Sequence, residues 1–219
     1  MKMSENAKAD IARKILKEIW EWTYTIALAV VIALLIKAFL FDIVKVDGQS
    51  METTLQHGDR LIVTKLGYKP EQGDIIILDS TYKPREAHFD EVARAEGKEE
   101  LGFISKKIKY FSLPENLKRR FYVKRVIALP GQTVDIRDGR VYVDGEVLEE
   151  EYYKGETYPL GSGMEYPLTV DEDTVFVMGD NRGNSTDSRS THLGLVPYKA
   201  VLGKAQIRFF PFNKIGFTK

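Results

Sequence analysis

The sequence predicts a mainly β protein, with an N-terminal transmembrane helix followed by one compact domain of antiparallel strands. Two patterns carry that reading. Residues 22–36 (WTYTIALAVVIALLI) hold no charged side chain. After Phe41, short apolar runs alternate with Gly-Asp and Asp-Gly pairs, the punctuation of strands and tight turns rather than of helices.

The apolar run comes first in the chain. Lys37 interrupts it, and Ala38-Phe39-Leu40-Phe41 extends it to roughly 20 residues, enough to span hydrocarbon as a helix. Lys37 lies near one end, where its ammonium can snorkel to the interface. Trp20, Trp22 and Tyr24 form an aromatic belt at the other end. A cleaved signal peptide fits less well, because the run is too long and Ala27-Leu28-Ala29 lies mid-span. The run therefore reads as an uncleaved anchor. Lys2, Lys8, Arg13, Lys14 and Lys17 precede it and only Lys45 follows closely, which predicts a cytoplasmic N-terminus and an extracytoplasmic domain at the plasma membrane. The expected organisation is a cytoplasmic tail at 1–18, an anchor at 19–41 and a catalytic domain at 42–219.

In the exported part, Leu61-Ile62-Val63 follows Gly58-Asp59, and Ile75-Ile76-Ile77-Leu78 follows Gly73-Asp74. Asp138-Gly139 and Asp144-Gly145 bracket Arg140-Val141-Tyr142-Val143, predicting two consecutive hairpins. Thr174 to Met178 reads as a buried strand ending at Gly179, and Val201 to Phe210 as another, closed by Pro211. Residues of about 83–120 differ, being rich in Lys, Glu and Arg. They read as a charged, part-helical insertion that faces water.

Composition narrows the function. Lys+Arg and Asp+Glu both number 32, so no net charge favours nucleic acid. There is no cysteine, which removes disulfides, thiol catalysis and cysteine-ligated metals. His57, His88 and His192 are scattered without metal-ligand spacing. Their number leaves a Ser-His-Asp triad open, although no Gly-x-Ser-x-Gly pattern is present.

Three segments could do chemistry. Ser50 sits in Gly48-Gln49-Ser50-Met51, just beyond the anchor. Gly48 lets backbone approach a substrate closely, and nearby N–H groups could hold an oxyanion. The same serine also suits an ordinary turn or helix cap. Lys124 lies among Val123, Val126 and Ile127, where lost hydration lowers a lysine pKa. Acting as a base near neutrality needs a fall of roughly 2–3 units, about 3–4 kcal/mol. Strand alternation implies that one of Lys124 and Arg125 faces solvent, and the pattern does not choose between them. The third segment, Gly179–Arg189, contains Asp180, Arg182, Asp187 and Arg189, which could pair to stiffen a loop, and the hydroxyls of Ser185, Thr186 and Ser188. Its bland reading is a polar turn closing a strand.

Taken in order, the anchor, Gly48–Leu55, Gly58-Asp59, Gly73-Asp74, Tyr122-Val123-Lys124-Arg125, Leu129-Pro130-Gly131 and Gly179–Arg189 resemble the type I signal peptidases. These are Ser/Lys endopeptidases that remove signal peptides from exported preproteins. A single span before the serine looks like the one-anchor bacterial form. The resemblance implies Ser50 as nucleophile and Lys124 as general base. Ser185 would orient the lysine amine, Asp187 and Arg189 would form a structural ion pair, and the Ser50 N–H would hold the oxyanion. Some members add a hydroxyl two residues before the nucleophile, where this chain has Gly48. Thr53 stands where the family usually has proline, and Ala128 where it often has glycine. The implied fold is a set of coiled antiparallel β-sheets.

The implied substrate is an extended signal-peptide segment with small residues, typically Ala, first and third before the cut. Such spacing suits a peptide that adds to a sheet edge and presents alternate side chains. No metal or organic cofactor is required. The implied partners are signal peptides, the lipid bilayer and, by proximity, the export translocon. Exposed apolar residues at Ile43–Val46 and at Phe209, Phe210, Phe212 and Phe217 could rest on the membrane. The alternatives are a narrow-client Ser/Lys processing protease and a catalytically silent pilus or assembly scaffold.

Overall fold

The computed structural model of the protein describes residues 5–161 and 163–218. The chain divides into two compact units, Met1–Asp42 and Ile43–Lys219. The first is helix α1, Glu5–Phe39. Its stretch Arg13–Lys37 is 25 residues, with an 18-residue window of mean hydropathy 2.0 of which none is buried; at 1.5 Å per residue the stretch gives about 37 Å of helix. Apolar side chains stand out on every side (Ile26, Leu28, Val31, Leu34, Leu35), as hydrocarbon surroundings favour and water does not. Lys2 of the basic flank lies outside the described residues.

The second unit is mainly β, and its two sheets pair antiparallel in the registers described. Its strands are β1 Phe41–Lys45, β2 Arg60–Thr64, β3 Ile75–Asp79, β4 Phe121–Ala128, β5 Thr133–Arg137, β6 Arg140–Val143, β7 Glu146–Val147, β8 Leu168–Thr169, β9 Thr174–Met178, β10 Val196–Pro197, β11 Val201–Phe210 and β12 Gly216–Phe217. The larger sheet runs β1-β2-β11-β3-β4-β9-β10 with β12 on β11, and the smaller runs β7-β6-β5-β8. Both expected hairpin turns form. Asp138-Gly139 and Asp144-Gly145 all have positive φ, the conformation that a two-residue turn needs to match strand twist.

Burial explains the strand sequences. β3 is buried along its whole length, hence its unbroken Ile75-Ile76-Ile77-Leu78 run rather than an alternating one. In β4, Val126 packs with Ile76, Leu78, Val175 and Val177, whereas Ile127 and Ala128 pack with Val134, Ile136, Val141 and Phe176 between the two sheets. Both faces of β4 are therefore covered.

That burial corrects the expectation from alternation. Lys124 is 3% exposed and Arg125 2%, so neither faces solvent. Alternation exposes every second residue only when one side of a sheet meets water.

Between β3 and β4 the chain forms helices α2, Tyr82–Ala95, and α3, Phe103–Tyr110. They share a small core of Phe89, Ala93, Leu101 and Leu113. Arg85, 4% exposed, ties α2 to the end of β3 through Asp79 at 2.6 Å.

Candidate active site

The Ser50 turn is fixed by its neighbours. Met51 and Leu55 are buried in a core with Val46, Leu61, Val63, Ile75 and Ile77. Backbone bonds from Glu52 N to Gln49 O (3.1 Å) and Leu55 N to Met51 O (2.8 Å) close the turn between them. Gly48, at φ +106°, takes a conformation that L side chains rarely adopt. Thr53 is also at positive φ, +93°, and its hydroxyl donates to the Tyr152 carbonyl at 3.0 Å. Proline is locked near −65°, so proline could not adopt the shape this turn takes at position 53.

Lys124 enters from β4, where it pairs with Ile76 of β3. Its Nζ donates to Ser50 Oγ at 2.7 Å and to the Val123 carbonyl at 3.0 Å. Residues 74 apart in sequence are thus brought into direct contact. Burial lowers the Lys124 pKa from 10.5 to about 8, against an opposing pull from Asp187 and Asp180. Desolvation prevails because both carboxylates are already neutralised by arginines. His57 instead pairs at the surface with Asp47, Nδ1 to Oδ1 at 3.1 Å. The hydrogen bond to Ser50 Oγ comes from a lysine, not from a histidine.

The Gly179–Arg189 segment wraps this pair. Asn181 N donates to the Ser50 carbonyl at 3.0 Å, and the Asn181 and Asn184 amides donate to Gln49 at 3.1 and 3.0 Å. Gly179 is needed for closeness. A Cβ there would lie 2.3 Å from Ser185 Oγ and 2.4 Å from the Ser50 carbonyl oxygen.

Within the segment, Asp187 and Arg189 pair at 2.9 Å, both buried. Asp187 also accepts from Gly179 N at 3.1 Å. Asp180 and Arg182 take partners from outside it. Arg125 grips Asp180 with Nε at 2.9 Å and Nη2 at 2.7 Å, while Arg182 pairs with Glu150 and donates to Thr157 Oγ1 at 2.6 Å. Sequence spacing suggested pairing inside the loop and missed both Arg125 and Glu150. No local signal could have found Glu150, which lies 32 residues away.

Ser185 Oγ is buried and makes no hydrogen bond among the described residues. It lies against Gly179 rather than on the Lys124 amine. Ala128, fully buried, sits where the β4–β9 register shifts. Among the described residues, no group of three or more His, Asp or Glu is placed to hold a metal ion.

A family model described as signal peptidase, peptidase S26, matches residues 19–210. The chain belongs to this family. Signal peptidase I of Bacillus licheniformis is 39% identical over 209 residues, covering 91% of this chain and 93% of that protein. Signal peptidase I T of Bacillus subtilis is 36% identical, covering 91% and 89%. A crystal structure of a signal peptidase I from Enterococcus faecalis is 25% identical, with a TM-score of 0.38, covering 64% of this chain and 98% of that one. The chain is accordingly a serine-type peptidase, a hydrolase.

Proposed function

We propose that this S26 peptidase is anchored in the membrane by α1 and removes N-terminal signal peptides from exported preproteins, with Ser50 as nucleophile and Lys124 as general base. The observation that carries the reading is the 2.7 Å contact between Lys124 Nζ and Ser50 Oγ, in surroundings that hold the lysine pKa near 8. A serine hydroxyl is too weak a nucleophile unless a neighbouring base takes its proton. With a pKa of about 8, about 9% of Lys124 is neutral at pH 7, against about 0.03% for an unperturbed lysine.

The reaction then proceeds in two balanced halves. Neutral Lys124 accepts the Ser50 proton as Oγ attacks the scissile carbonyl, and the Ser50 N–H steadies the oxyanion. The C–N bond breaks, the ammonium returns its proton to the leaving amine, and the signal peptide stays as an ester on Ser50. Water, deprotonated by Lys124, cleaves that ester, and the proton passes back to Ser50 Oγ. The lysine ammonium has three donors, and two of them meet Ser50 and Val123. Ser185 Oγ is the proposed acceptor for the third, orienting the amine as the proton moves. The buried Asp180–Arg125, Asp187–Arg189 and Arg182–Glu150 pairs hold the turn and the loop together.

β1 ends the larger sheet, and the chain passes from it through Gly48 to Ser50. An extended peptide aligned along that edge reaches Ser50 with alternate side chains facing the protein. This supports a preference for small residues, such as Ala, first and third before the cut. Basic residues before α1 support a cytoplasmic N-terminus and an extracytoplasmic β unit, close to where the translocon releases preproteins.

The test is cleavage of a preprotein with an Ala-x-Ala site by full-length protein in lipid. Wild type should cut at that site, while Ser50→Ala and Lys124→Met should fold but not cut. A folded variant of either kind that retains full activity would overturn the dyad.

A further inference from the structure

Helix α3 is amphipathic with its apolar side turned outward. Phe103, Ile104, Ile108 and Phe111 are 73, 72, 68 and 85% exposed. At 100° per residue they fall within an arc of roughly 140°. The polar side faces the protein. Lys106 pairs with Glu86 at 2.7 Å and Lys109 with Glu96 at 2.6 Å, and Tyr110 packs against the insertion core. A helix that simply covered the domain would have the opposite arrangement. We propose that α3 lies in the plane of an anionic lipid bilayer, as a second membrane contact beyond the spanning helix.

Charge favours that occupant. Residues 103–121 carry six basic side chains against the single carboxylate of Glu115; Lys106, Lys109 and Lys118 are paired with Glu86, Glu96 and Glu115, which leaves Lys107, Arg119 and Arg120 to meet an anionic surface. An apolar face flanked by cations is the pattern that binds anionic headgroups while burying its apolar residues among acyl chains. Lys107, the one lysine in the apolar arc, lies over the Phe103 ring at 4.9 Å, within reach of a phosphate. A groove of about 560 Å³ is lined by Phe103, Phe111, Phe121, Lys107 and Arg119, and also by the carboxylates of Asp79 and Glu86.

The insertion leaves the larger sheet at the end where Val201 pairs with Leu78 and Leu78 with Tyr122.

The inference rests on the anchoring part of the proposed function, not on the dyad. The chain has no cysteine, so single-cysteine variants of the full-length protein can carry a fluorophore at one position. Leu34→Cys reports the span, Ile108→Cys and Phe111→Cys report α3, and the exposed Glu99→Cys is the control. In proteoliposomes containing phosphatidylglycerol, doxyl-labelled lipid should quench the Leu34, Ile108 and Phe111 labels several-fold more than the Glu99 label. Charge reversal at Lys107, Arg119 and Arg120, or pure phosphatidylcholine, should weaken quenching at 108 and 111 only. Quenching at Leu34 but not at 108 or 111 would overturn the inference alone, leaving the exposed face for a protein partner. Lack of quenching at Leu34 would remove the anchor and the inference together. Protection at 108 that rises with the protein-to-lipid ratio would assign the face to a second copy, against the proposal.

Discussion

Lys124→Met should abolish cleavage yet make the protein more stable, and the gain should depend on pH. The Lys124 pKa is about 8 in the folded chain and 10.5 as the unperturbed value. The folded state therefore releases this proton first, and between those values the unfolded chain binds more protons. Stability of the wild type rises with pH through that window, and the full penalty is present below pH 8. The difference of about 2.5 units corresponds to about 3 kcal/mol at pH 7. Methionine fills the same space without charge but forfeits the bonds to Ser50 Oγ and the Val123 carbonyl, each worth about 1 kcal/mol. A net gain of about 1–3 kcal/mol follows at pH 7, raising Tm by roughly 3–9 °C for a chain of this size. The assay is thermal unfolding of both proteins in detergent from pH 6 to 10.5. The difference should be constant below pH 8 and shrink above it. A less stable Lys124→Met, or a gap unaffected by pH, would refute the claim that burial sets the lysine pKa.

The loop that surrounds the dyad yields three further expectations. Gly179→Ala must displace Ser185 Oγ or the Ser50 carbonyl, so kcat should fall by at least about 100-fold; near wild-type turnover would show that the close approach is not needed. Arg125→Met strands the buried Asp180 carboxylate, which should cost about 3–5 kcal/mol in thermal or denaturant unfolding, and Asp180→Asn added to it should restore part of that loss. Ser185→Ala deletes a buried hydroxyl that lacks a partner. Its stability in thermal unfolding should hold or rise by up to about 1 kcal/mol, while kcat falls roughly tenfold if the hydroxyl orients the amine. Unchanged kcat would release Ser185 from that role.

How much of this the sequence carried depended on the range of the forces involved. Strands ruled by local pattern were legible almost to the residue, as with Val201–Phe210 and the two Asp-Gly hairpins. β10 and β12, two residues each, carry too little pattern to be seen. Lys124 and Arg125 could not be separated because burial on both faces of β4 is a property of the assembled sheet. Ser50 and Lys124 stand out in the sequence as candidates, the resemblance implies their roles, and their contact at 2.7 Å is a tertiary fact that strand alternation could not supply. The ion pairs Arg125–Asp180 and Arg182–Glu150 bridge distant segments, so spacing within Gly179–Arg189 pointed to the wrong partners for two of four charges. The 83–120 insertion was expected to face water on account of its charge. Its helix α3 pairs Lys106 and Lys109 toward the protein and leaves Phe103, Ile104 and Ile108 exposed, an arrangement that composition alone does not reveal.

The most direct test of the central claim is the pH dependence of kcat/KM for preprotein cleavage, from pH 6 to 10. If neutral Lys124 takes the Ser50 proton, activity should climb with rising pH along a limb whose apparent pKa is near 8, following the value that burial sets. A limb near 6.5 would point to a histidine base, and activity independent of pH across that range would contradict a lysine base altogether.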